Sequence, residues 1–447
     1  MLIRLCSFLG TSCLIGGLGA GIVPVEPDPI FDTIDLNATY AAVRRIFGRM
    51  KLTPKEMAVL IGGGHSSGQG SLEGGTYHGN WVEPRTLLGN GYFQLLSGHH
   101  NWCAVRSSDN GNAHFVAKGK QPYIAETEYS PLYNSGGVPC VETDANKAVF
   151  ENLPTIPAET LIYQPGIWHE PSGAAAFLPV DFALQYANET YTHVILWALD
   201  ERLFFNDFQA AWAKLTENGQ RLRCPDVNGP SDFKYSAECA TRFGDEASYR
   251  TMWIQIRADI KRLFDSLPTR CHSIRPAARH TGGSNSSVCP SSIFRLGFHL
   301  SATYDPEADG NIGGSSFTSF VGPCAFFDGC AGCLQDSVLS LQRIQQRYRH
   351  RNVSLADVSI YASGLAGARL AELRLNLMPF HPGREDPSIV DYATCKDLGD
   401  RMPSPAYQWR SGAASGLSKF GGMLDGDLVM PSVPGSSQLQ ESIAVLV

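Results

Sequence analysis

Leu60-Ile-Gly-Gly-Gly-His65-Ser-Ser-Gly68 is the stretch on which the reading of this chain turns. A helix is predicted just before it, over about 54–64, with Thr53 at its cap, Pro54 at its first position and Glu56 at its third. Met57, Leu60 and Ile61 then fall on one face. The three glycines are expected to break the helix immediately before His65. Without side chains they let a flat ligand approach the backbone closely. Alone, a histidine in that place reads more readily as a buried structural residue with its hydrogen bonds satisfied than as a ligand.

Working outward, the periodicity predicts a mostly α-helical chain. Helices are expected at about 39–50, 181–197, 205–216, 246–266, 334–348 and 355–375, with a short one holding Arg295 and His299. Ser354 with Asp357 three residues later caps the last of the long helices. The intervals 225–244 and 268–288 read as polar gaps, and Thr160-Leu-Ile-Tyr163 as a strand-like fragment within a stretch rich in Gly, Asn, Ser and Pro. After Pro405 the chain is Ser/Gly-rich and predicted loose.

With 447 residues the chain is long enough for one large core or two medium ones. A net charge of −7 and a pI near 5.9 give no basic field for nucleic acid or an anionic membrane. Met1-Leu-Ile-Arg4, the apolar run Leu5–Leu18 and the small residues after it have the parts of a secretory signal peptide over 1–20, too short for a membrane span. An exported chain is therefore expected, with import into an organelle as the other route. Sequons at Asn37, Asn188, Asn285 and Asn352, and ten cysteines beyond the leader, fit an oxidising route. The disulfide pairing cannot be read from sequence. Cys330-Ala-Gly-Cys333 lacks a thioredoxin-like strand before it and reads as a structural disulfide or a pair of free thiols rather than a redox motif.

The blocks around His65 then fall into a pattern. Phe47-Gly-Arg-Met50 precedes it; Gly79-Asn-Trp81 and Gly89-Asn-Gly-Tyr-Phe93-Gln-Leu-Leu96 follow, with Trp81 sixteen positions after His65. Phe177-Leu-Pro-Val-Asp181-Phe-Ala-Leu184 and Asp200-Glu-Arg-Leu-Phe-Phe-Asn-Asp-Phe208 continue it to Leu215. Later come Ser292-Ile-Phe-Arg295-Leu-Gly-Phe298-His299, Ser354-Leu-Ala-Asp-Val358 and Pro379-Phe-His-Pro-Gly-Arg-Glu-Asp386. Together these resemble the class I plant-type haem peroxidases, the family of ascorbate peroxidase and cytochrome c peroxidase. The early blocks resemble its proximal half and the later ones its distal half.

The resemblance implies a helical fold of two lobes around one haem b, and an enzyme that reduces hydrogen peroxide in the response to oxidative stress. It implies His65 as the axial iron ligand, with Asp181 taking the other imidazole N–H and so making the ligand more basic. Trp81 would hold an oxidising equivalent, and Ser66 and Phe298 would lie against the cofactor. Arg295 and His299, four apart, share one helix face. The histidine would move the peroxide proton, and the arginine would stabilise charge as the O–O bond breaks. No C-x-x-C-His segment occurs, so the haem would be held without thioether bonds.

This chain departs from the family in several places. The halves are reversed, with the proximal region at 25–225, an insertion at 97–172, a linker at 226–244, the distal region at 245–405 and a tail at 406–447. That order describes either a circular permutation or a slice across a tandem peroxidase. The asparagine expected to support His299 is replaced by the loop Asp328-Gly-Cys330, which should lower its basicity. Gly74 and Ser287 stand where ascorbate-binding residues are expected, and Val82, Pro84 and Gly89 replace ligands of a proximal cation site, leaving only Ser66. No potassium is expected there, and the donor is a small molecule or a protein rather than ascorbate in particular. The competing readings are a non-catalytic haem-binding pseudoperoxidase and a secreted interaction protein on a degenerate peroxidase scaffold.

Overall fold

The computed structural model describes residues 36–67, 69–70, 79–82, 87–98, 102–106, 113–117, 176–177, 179–220, 223–229, 233–268, 288–302, 304, 306, 331–372 and 377–386. Across them the chain is mostly helical, as the periodicity predicts. Helices α1 (Leu36–Arg49) and α2 (Pro54–Ser67) lead, followed by the two-residue strands β1 (Gln69–Gly70) and β2 (Gly79–Asn80), which pair antiparallel. Helix α3 (Gly91–Gly98) precedes a small antiparallel sheet of β3 (Trp102–Arg106), β4 (Ala113–Ala117) and β5 (Ala176–Phe177), with Phe115 opposite Phe177. Then come α4 (Pro179–Tyr186), α5 (Tyr191–Leu199), α6 (Glu201–Glu217), α7 (Ala237–Phe243) and α8 (Glu246–Ser266). Helix α9 (Pro290–Ser301), α10 (Ala331–Tyr348), a 3₁₀ turn (Arg349–Arg351) and α11 (Leu355–Leu370) complete the order. No described helix is long and apolar enough to cross a membrane.

Local chemistry explains several of these ends. The Glu56 backbone N–H donates to Thr53 Oγ1 at 3.2 Å, while the Thr53 N–H donates to Glu56 Oε2 at 2.7 Å, so two orphan donors of α2 are satisfied reciprocally. Ser354 Oγ accepts from Asp357 N at 3.0 Å and starts α11, and Asp200 starts α6 by accepting from Leu203 N at 3.0 Å.

Three expectations are corrected. The glycine run does not break the helix: α2 continues to Ser67, and His65 sits in its last turn. A Cβ on Gly62 would lie 2.1 Å from Phe93 Cζ and one on Gly63 2.2 Å from Phe208 Cε2. The glycines thus make room for two rings of neighbouring helices, which outweighs their poor helix propensity. The helix expected at 181–197 is two, because the Thr190 hydroxyl turns back to Leu184 O at 2.6 Å and closes the corner between α4 and α5. The polar gap at 225–244 holds α7, capped by Ser236 and tied to the preceding segment by a Cys224–Cys239 disulfide.

Early and late segments build one core. Helix α9 packs along α11 and against α6, so closely that a Cβ on Gly297 would meet Ser363 Cβ at 2.5 Å and Trp212 Cζ2 at 2.9 Å. Trp212 stacks on Phe294 at 4.7 Å, and Phe47 lies 6.4 Å from Phe298. Arg49 of α1 donates to Ala302 O at 2.8 Å and to Tyr304 O. The Leu88 N–H donates to Leu370 O at 3.0 Å. Arg384, buried with Asp357 at 3.2 Å, gives its other guanidinium arm to Thr216 O at 2.8 Å. Residues 1–20, 406–447, Gly74, Pro84, Thr160–Tyr163, Ser287, Asp328 and Cys330 lie outside the described residues.

Candidate functional site

Helix α2 carries His65 into the interior, where the ring is fully buried. Its Nδ1 lies 2.8 Å from Asp181 Oδ1, and a carboxylate there can only accept, so Nδ1 carries the hydrogen. Asp181 is held in the first turn of α4, where a negative charge suits the helix N-terminus. The Trp81 indole stacks on the His65 ring at 3.8 Å between centroids and 14° between planes, and donates Nε1–H to Asp181 Oδ2 at 3.0 Å. His65, Trp81 and Asp181, expected together, are brought together in one closed cluster.

Tyr92 joins them, a member that sequence reasoning misses. Its hydroxyl donates to Asp181 Oδ1 at 2.6 Å, and its ring meets His65 edge-on at 5.6 Å. In sequence it looks like one more apolar residue of the Gly91–Leu96 run, and its partner is 89 positions away. Ser66, adjacent to the ligand candidate, spends its hydroxyl on the backbone: it donates to Gly63 O at 2.9 Å and accepts from Gly89 N at 3.3 Å.

The second group lies on α9. Arg295 Nε donates to His299 Nε2 at 3.1 Å, as four-residue spacing on one face allows. His299 is buried, and burial first, then the Arg295 charge, hold its imidazole well below the ordinary histidine value. It is therefore neutral at pH 7, with Nε2 as the basic nitrogen. The loop at Asp328, expected to lower that basicity, lies outside the described residues. Phe298 is buried beside it, with rings 6.1 Å apart at 79°.

Among the described residues no group of three or more His, Cys, Asp or Glu side chains is placed to hold a bare metal ion. A single imidazole whose Nδ1 is fixed by a carboxylate suits instead a metal that brings most of its ligands with it, as iron in a porphyrin does.

No family model matches the sequence. Over 177 residues, 40% of this chain, it is 26% identical to a protein of Gibberella zeae named "Putative heme-binding peroxidase". The chain spans 38% of the length of that relative. The similarity supports a peroxidase-type relationship.

Proposed function

We propose that this protein is a haem-dependent peroxidase, with haem b held by His65 and with Arg295 and His299 acting on hydrogen peroxide. The observation that carries the reading is the buried Asp181, which takes hydrogen bonds from His65, Trp81 and Tyr92 at once. That arrangement commits Nδ1 of His65, so the metal would bind through Nε2. Haem would supply the redox-active iron that passes two electrons to peroxide. His65 would hold the haem through Nε2, and Asp181 would keep the imidazole in one tautomer and raise its donor strength. Neutral His299 would take the peroxide proton on Nε2 and deliver it to the departing oxygen, a role worth ~10²–10⁴-fold. Arg295 first has to turn from that nitrogen, and its charge then stabilises the leaving oxygen. Trp81, stacked on the ligand, would hold one oxidising equivalent.

In this reading the reversed halves contribute to one pocket; the core shared by α6, α9 and α11 supports it. The electron donor is a small molecule or a protein. A secretory route fits the Cys224–Cys239 disulfide and the N-terminal sequence.

Titrating haem into the purified chain should produce a Soret band that is lost in His65→Ala. Adding peroxide to the ferric protein should then change its spectrum rapidly in the parent and slowly in His299→Ala. A Soret band with no peroxide response in the parent would favour a haem-binding pseudoperoxidase, whose one structural support is the Arg295–His299 bond that occupies the basic nitrogen. No Soret band at all would remove haem from the account.

A further inference from the structure

Two buried tryptophans share one arrangement. Trp81 donates its indole hydrogen to Asp181 at 3.0 Å, and Trp197 donates its own to Asp207 Oδ2 at 2.9 Å. The carboxylates differ in surroundings. Asp181 is sealed, whereas the Asp207 side chain is 17% exposed and pairs with Lys55 at 2.7 Å on the protein surface. An indole that loses an electron becomes positively charged and strongly acidic at nitrogen. A carboxylate on that N–H both stabilises the charge and can receive the proton.

Aromatic contacts join the two. Tyr92, bonded to the same carboxylate as Trp81, meets Phe93 at 5.0 Å, and Phe93 meets Trp197 at 5.0 Å. Beyond Trp197, His193 stacks on the indole at 5.6 Å and 26°. Partial burial and then Lys55 lower the basicity of that imidazole, so an uncharged ring covers the indole and does not oppose a positive charge on it. The proximal candidates are fully buried and cannot touch a bulky reductant; Trp197 is one side chain from solvent through Asp207 and His193.

We propose that Trp197 is the outer station of an electron path from Trp81, with Asp207 as the acceptor of its indole proton, through which a phenolic donor too bulky to enter the protein is oxidised at the α5–α6 surface. This rests on the peroxidase reading and names a substrate class for it. Oxidised Trp81 lacks one electron. Trp197 supplies it through Tyr92 and Phe93 and passes its Nε1 proton to Asp207, leaving a neutral indolyl radical. A phenol at the surface returns one electron to Trp197, whose nitrogen recovers the proton from Asp207, and the phenol releases its hydroxyl proton to water. Two such phenols supply the two electrons and two protons with which hydrogen peroxide becomes two waters.

The test uses the haem-loaded full chain, peroxide, a nitroso spin trap with peptide mapping, and a phenol coupled to dextran beside the same phenol free. Trap adducts are expected on the peptide bearing Trp197. Asp207→Asn, which keeps the indole, should lower both that adduct and the rate on dextran-linked phenol by about tenfold. Trp197→Phe should abolish both, and Asp207→Asn carries the test if that variant does not fold. Adducts confined to Trp81 and Tyr92, or an unchanged rate on dextran-linked phenol in the variants, would overturn the path while leaving the peroxidase reading intact. Failure to form a Soret band would overturn that reading, and the path with it.

Discussion

Replacing Asp181 by asparagine preserves the shape of the side chain but exchanges one acceptor oxygen for a group that only donates. Both oxygens are in use: Oδ1 accepts from His65 at 2.8 Å and Tyr92 at 2.6 Å, and Oδ2 accepts from Trp81 at 3.0 Å. With the amide oxygen kept toward His65 and Tyr92, the Trp81 N–H faces an NH₂, and two buried donors are left without an acceptor. Each such orphan costs about 1–3 kcal/mol, so Asp181→Asn should destabilise by about 2–6 kcal/mol, a large part of an ordinary folding stability. Urea denaturation of the chain without added haem measures it, in a cycle with Trp81→Phe. In the parent, Trp81→Phe removes a good hydrogen bond; in the Asp181→Asn background it removes an orphan. The double variant should therefore be more stable than the sum of the single losses by about 1–3 kcal/mol. Single losses that add to within about 0.5 kcal/mol would refute the shared carboxylate as the organiser of this cluster.

Packing and burial set two more outcomes. Gly62→Ala and Gly63→Ala should each destabilise by about 1–3 kcal/mol, since the new methyl meets Phe93 or Phe208. Gly48→Ala in α1, whose Cβ would have Arg44 Nη1 at 4.0 Å as its nearest neighbour, should instead stabilise by up to ~1 kcal/mol; chemical denaturation separates the signs. His299 is held below the ordinary histidine value of 6.5, so as pH falls through that value the unfolded chain takes up a proton that the folded one refuses. Stability is then lost toward acid by at most ~1.4 kcal/mol per pH unit at this site, and His299→Phe should flatten that part of the pH profile between about 6.5 and 5.

The legible parts of the fold are those that depend on neighbours in sequence. Thr53 with Glu56 and Ser354 with Asp357 announce their helices because a cap satisfies backbone groups within one turn. Helix α8 is readable because its buried stripe of Tyr249, Met252, Trp253, Ile256 and Ile260 repeats at helical spacing. The glycines before His65 mislead because their reason is remote: only the folded chain brings Phe93 and Phe208 against them. Helix α7 is hidden in a polar stretch, although Ser236 and Glu238 give a start signal; it buries only Cys239 and Phe243. In the site, His65, Trp81 and Asp181 are recognisable from their order along the chain. Tyr92 is not, since nothing next to it in sequence distinguishes a tyrosine that reaches a distant carboxylate from one that fills a core.

The interlocking of the early and late segments has a practical corollary. A fragment ending near residue 229 would leave the amides of Leu88, Cys224 and Val227, and the carbonyl of Thr216, stripped of acceptors and donors that come from residues 370–384. Each piece made alone would carry a raw apolar flank and raw backbone, so the pieces should be insoluble apart and rescue one another when co-produced.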